Sequence, residues 1–143
     1  MKTRYSSLVT VKKSSMESSE NALKQANLDY SNAQSALEQS YELLNEVSPP
    51  GSGSVADMLA SRTLMSSQRG VIQHNQEWMR FAKEQVELAQ KKLKSDMIEY
   101  EKFKYLELEE IKKALKAQKL QEAKDLDEVA LMTHSKMNIR RKD

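Results

Sequence analysis

The residues able to do chemistry in this chain are few and scattered. His74 and His134 are 60 positions apart, and neither has the neighbouring His, Asp or Glu at fixed offsets that metal binding or acid–base catalysis needs. Glu107, Glu109 and Glu110 are followed by Lys112, Lys113 and Lys116. On a helix these spacings make i,i+3 and i,i+4 ion pairs, the pattern of a solvated face. The segment "PPGSGS", residues 49–54, has neither a preceding strand nor a following Lys-Ser/Thr pair, so it does not form a phosphate cradle. Cysteine is absent, which excludes disulfides and thiolate metal sites and suits a reducing compartment. No catalytic residue, metal or cofactor is expected. The chain reads as a non-enzymatic protein.

The elements behind these residues must therefore serve contact. Of 143 residues 38% are hydrophobic, 31% charged and 6% aromatic, too few apolar residues for an ordinary core and a composition that favours long helices. Net charge is +2 with both signs interspersed, which excludes the concentrated basic face of a nucleic-acid binder. The terminal "KMNIRRKD" reads as a solvated tail. The apolar run "LVTV" is too short for a secretory leader, and nothing approaches the ~20 apolar residues of a membrane span. A soluble, cytoplasmic protein is expected.

Two heptad seams organise the chain. In the first, Val9, Met16, Leu23, Tyr30, Leu37 and Leu44 occupy position a, and Tyr5, Lys12, Ser19, Ala26, Ala33, Ser40 and Val47 occupy d. Large knobs alternate with mostly small partners, which lets two helices approach closely. Lys12 and Ser19 weaken this seam, and fraying or a partner contact is expected there. In the second, Met58, Met65, Ile72, Met79, Val86, Leu93 and Tyr100 take a, while Ser61, Gln68, Asn75, Ala82, Ala89, Asp96 and Phe103 take d. After Tyr100 the apolar residues Leu108, Ile111 and Leu115 fit only with a stutter. Gly70 is tolerated inside the helix, the methionines fill the seam, and Trp78 should flank the interface.

Between the seams, "SPPGSGS" holds both prolines and two of the three glycines, which a helix cannot absorb. The expected fold is all-α: a two-helix antiparallel coiled-coil hairpin with a longer C-terminal helix, one domain over residues 1–143. The helices are placed at about 5–47 and 55–137, and the turn at 48–54. Pairing outward from the bend sets residue i near 102 − i. Some 40 residues beyond Met97, on the order of 60 Å of helix, then overhang. Leu106, Leu108, Ile111, Leu115, Leu120, Leu126, Val129, Leu131 and Met132 would need a second copy or another protein to cover them.

The stretch "LQEAKDLDEVALM", residues 120–132, with Leu126, Asp127, Glu128 and Ala130, and the start "YSSLVTVKK" resemble the FliJ family of flagellar type III export components. The resemblance covers essentially the whole chain. It implies a protein similar to the central shaft subunit of rotary ATPases. Its paired termini would enter the ring of the export ATPase FliI, contacting it through Tyr5, Leu8, Leu126, Asp127, Glu128 and Ala130. The bend end, with Tyr41, Leu44, Met58 and Leu59, would meet the export gate FlhA. FliH and export chaperones are further implied partners. Localisation would be cytoplasmic, at the base of the export apparatus, with peripheral membrane association through the gate. Two rival readings stand beside this one: a structural coiled coil that homodimerises through the overhang, and a prefoldin-like or tubulin-cofactor-like hairpin chaperone.

Overall fold

The computed structural model describes residues 2–47 and 53–142, with side chains as far as Arg140. Two helices account for nearly all of it: α1, Ser6–Glu46, and α2, Val55–Lys142. They pack against each other, and the chain is an all-α helical hairpin. Most of the expected bend lies in residues 48–52, outside the described residues.

Local hydrogen bonds start both helices. The Thr3 amide donates to Ser6 Oγ at 2.8 Å and the Tyr5 amide to Thr3 Oγ1 at 3.1 Å, local side-chain bonds that fix the residues leading into α1. At the head of α2 the Asp57 amide donates to Ser54 Oγ, and the Ser54 amide to Asp57 Oδ2, both at 3.3 Å. This reciprocal capping box also sets a carboxylate at the positive end of the helix dipole.

The chain divides into two compact units, Ser14–Ile98, and Met1–Lys13 with Glu99–Asp143. In the Ser14–Ile98 unit the small seam residues are the most enclosed: Ala33 is 0% exposed and Ser19 1%. Ser40, Ile72 and Ala82 are also buried. Polar seam residues have partners across the interface. Ser19 Oγ donates to Asp96 Oδ2. Asn75 Nδ2 donates to Ser40 Oγ and to the Ala36 carbonyl, the latter at 3.3 Å, and Gln68 Nε2 donates to the Ser40 carbonyl at 2.9 Å. In the other unit Lys12 pairs with Glu99 at 3.6 Å and lies over the Phe103 ring, and Arg4 pairs with Glu110 at 2.9 Å.

These contacts correct three expectations. First, the seam does not fray at Lys12 and Ser19, because each meets a polar group on α2. Second, the pairs set residue i opposite roughly residue 112 − i, not 102 − i. In an antiparallel pair each a position faces a d position, which the bend-centred rule ignored. The observed register sets large a residues mostly against small or polar d residues, and supplies Asn75 and Asp96 with hydroxyl partners. α2 therefore begins beyond the end of α1, and Met58, expected in the seam, is 59% exposed. Third, the seam continues through half-buried Glu107 and Glu110 without slipping to Leu108, which is half exposed. Cover ends at Ile111, so the overhang is about 30 residues, roughly 45 Å.

Elsewhere the seam runs as expected. Every a and d position from Tyr5 to Val47 and from Ser61 to Phe103 is buried or half-buried. Trp78 flanks the interface at 38% exposure, and nothing lies within 4 Å of a Cβ built on Gly70. Because Asp96 is half-buried and accepts from Ser19, with Lys92 Nζ 3.9 Å from the same oxygen, the Ser19→Val variant should lose about 1 kcal/mol, the net worth of one hydrogen bond. Thermal melts of the Ser19→Val and Ser18→Val variants measure it; equal melting points would show that the bond contributes nothing.

Candidate functional site

The candidate site is a set of contact surfaces. From Lys112 to Arg140 every residue of α2 is exposed. Leu120, Leu126, Val129, Leu131 and Met132 are each between 58% and 70% exposed. A surface groove is lined by Glu122, Asp125, Leu126 and Val129. Asp127, Glu128 and Ala130 are exposed beside it.

Tyr5 and Leu8 were expected close to this end, and the structure places them elsewhere. Tyr5 is half-buried, its ring centroid 6.4 Å from that of Phe103, with the Arg4 guanidinium 4.9 Å over its face. Leu126 lies twenty-three residues beyond Phe103, roughly 35 Å along the helix. The register explains the separation, because α1 begins opposite residues near 106 and reaches no further along α2. Leu8, 40% exposed, remains on the surface of α1.

The four residues expected at the bend end are spread along the Ser14–Ile98 unit. Leu44 is half-buried in the seam, while Met58 and Leu59 are exposed beyond the end of α1. Tyr41 is 43% exposed, and its hydroxyl accepts from Gln76 Nε2 at 2.8 Å. Sequence reasoning missed a second apolar column on α2. Leu64, Val71 and Trp78 each precede a seam residue, and Phe81 and Leu88 stand two places after one. All five are exposed. His74, Glu77, Trp78 and Phe81 line a surface groove along this column. A repeat of seven outside a and d was the available signal.

Among the described residues no three His, Cys, Asp or Glu side chains are placed to hold a metal ion. His134 Nε2 lies 3.3 Å from Asn138 Nδ2, one turn away.

A comparison with protein-family models matches residues 1–138 to the flagellar FliJ protein family. The chain belongs to the FliJ family. Neither the curated proteins nor the solved structures contain a match. FliJ membership makes the chain a component of the flagellar export apparatus. Among the described residues of this FliJ chain, no helix is long and apolar enough to cross a membrane.

Proposed function

We propose that this FliJ-family chain binds the export ATPase FliI through the C-terminal part of α2, as a subunit resembling a central stalk. It couples the ATPase to the export gate FlhA and to export chaperones, with FliH as a further partner. One observation carries this reading: about 30 residues of continuous helix bear apolar side chains that no part of α1 covers. Isolated helix in water is marginal, and burying these residues in a surrounding protein removes apolar surface from solvent. Leu126, Asp127, Glu128 and Ala130 form the ATPase-facing segment. Tyr5 and Leu8 contribute from the far side of the overhang, where α1 begins. Titrating the purified chain into purified export ATPase tests the reading, and an absence of both binding and ATPase stimulation would overturn it.

The gate-facing surface is the opposite end of α2, where Met58 and Leu59 project beyond α1 and Tyr41 stays accessible. Leu44 supports it from within the seam. The Met58→Glu, Leu59→Glu double variant should weaken binding to the cytoplasmic part of the gate protein about tenfold or more, the loss of roughly 1.4 kcal/mol or above. Its melting point should match that of the parent, since neither side chain is enclosed. Unchanged gate affinity would remove this end from the interface.

A further inference from the structure

The overhang is banded by charge. Lys112, Lys113, Lys116 and Lys119 are four cations in eight residues with no acid among them. Lys112, Lys116 and Lys119 recur at i, i+4 and i+7, one face of a helix. Residues 122–128 then hold Glu122, Asp125, Asp127 and Glu128 against the single cation Lys124. Two of these carboxylates are oriented from the preceding turn: Gln118 Nε2 donates to Glu122 Oε1 at 3.3 Å and Gln121 Nε2 to Asp125 Oδ1 at 3.1 Å. A second basic band follows with Lys136 and Arg140. All of these side chains are exposed.

The order of the bands decides what can cover the helix. They are nearly symmetric about residue 126, where the acidic band lies. A second copy running antiparallel with full overlap would set the acidic band on itself and Lys112–Lys119 against the Lys136–Arg140 band. A parallel copy would match each band with its own sign. Both arrangements place like charges together along an interface, which costs affinity at every band. The apolar residues are thus available to a partner while the charges disfavour a second copy of this chain paired over the full overhang.

We infer that the surface surrounding the overhang is a different protein whose lining is acidic at Lys112–Lys119, basic at Glu122–Glu128 and acidic again at Lys136–Arg140. The first two bands are centred about 14 Å apart and the last two about 20 Å apart along the helix. The inference rests on the proposed insertion into the ATPase ring and specifies the charge of that ring's lining at three depths. Apolar side chains supply the contact area, and the bands set how deep the helix sits, since a slip of one band spacing brings like charges together.

The test uses the full-length chain and purified hexameric export ATPase. One variant is Lys112→Glu with Lys116→Glu and Lys119→Glu; another is Asp125→Lys with Glu128→Lys. Each should weaken binding at least about tenfold near physiological salt, and the gap from the parent should narrow as salt screens the charges. Circular dichroism should show the same helix content in all three proteins, and the parent should sediment as a monomer. Affinities within about twofold of the parent, tighter binding by either variant, or a stable parent dimer would overturn the inference. If Leu126→Asp abolishes binding while both reversals leave it intact, insertion stands and the bands do not. If the parent chain fails to bind at all, both fall together.

Discussion

Ending the chain at Lys119 should lower its affinity for the export ATPase at least about a hundredfold, while the melting point of the helix pair stays within roughly 2 °C. The two halves of that expectation have separate physical sources. Residues 120–140 contribute nothing to the hairpin seam, because burial ends at Ile111 and every described side chain beyond it is exposed. Leu120, Leu126, Val129, Leu131, Met132, Met137 and Ile139 are the large apolar side chains removed. Burying even two of them fully would contribute about 3 kcal/mol or more, which is a hundredfold in the equilibrium constant. Isothermal titration against the purified ATPase, paired with a melt followed by circular dichroism, measures both. Full affinity in the shortened chain would move the interface to the paired region. A large drop in melting point would instead reveal a seam contact made by the overhang.

A second large effect, on stability, is expected at Ala33. The register sets it opposite Met79, and both Ala33 and the nearby Ala82 are almost completely enclosed. Three additional carbons in Ala33→Leu have no space to enter, so the helices must separate or Met79 must leave its rotamer. Overpacking of this kind costs about 2 kcal/mol, or roughly 6 °C in melting point for a chain of this size. Leu28→Ala provides the contrast. That side chain is 54% exposed, and its loss should change stability by less than about 0.5 kcal/mol. Similar melting points for the two variants would mean that the small residues of the seam are not packed as described.

Period was the legible part of this fold. Val9 to Leu44 and Met65 to Tyr100 recur every seven residues, and nothing but a helical seam uses that spacing for so long, so the enclosed positions followed directly. Register was not legible in the same way. Centring the pairing on the prolines and glycines treats the bend as the device that aligns the helices, whereas the alignment depends on which groups can satisfy Asn75, Gln68 and Asp96. That is a three-dimensional matching of donors and acceptors across two helices, and one helix's pattern does not reveal it. The same error lengthened the expected overhang by about ten residues.

Of the contact surfaces, the exposed end of α2 was visible because apolar residues continued after α1 had run out. The column through Leu64, Val71, Trp78, Phe81 and Leu88 was hidden by the seam beside it, since a search for a and d positions absorbs the strongest repeat first. The capping pair Ser54 and Asp57 has a local signature, Ser-x-x-Asp, and needed only a four-residue window. Its first residue, Ser54, directly follows the prolines and glycines and reads as part of the bend.

The cross-helix bonds also order the closing of the hairpin. The Gln68–Ser40 bond spans 28 positions of sequence, Asn75–Ser40 spans 35, Ser19–Asp96 spans 77 and Arg4–Glu110 spans 106. Joining distant positions first restricts a long loop of chain, whereas each layer formed next to an existing one restricts only the few residues between them. Closure is therefore least costly beginning at the Ser40 layer and advancing toward the chain ends, as in a zipper. Arg4 and Tyr5 are the last to dock and the first to come free. The α1 terminus can thus release its grip on Phe103 and Glu110 while the layers near the bend stay shut.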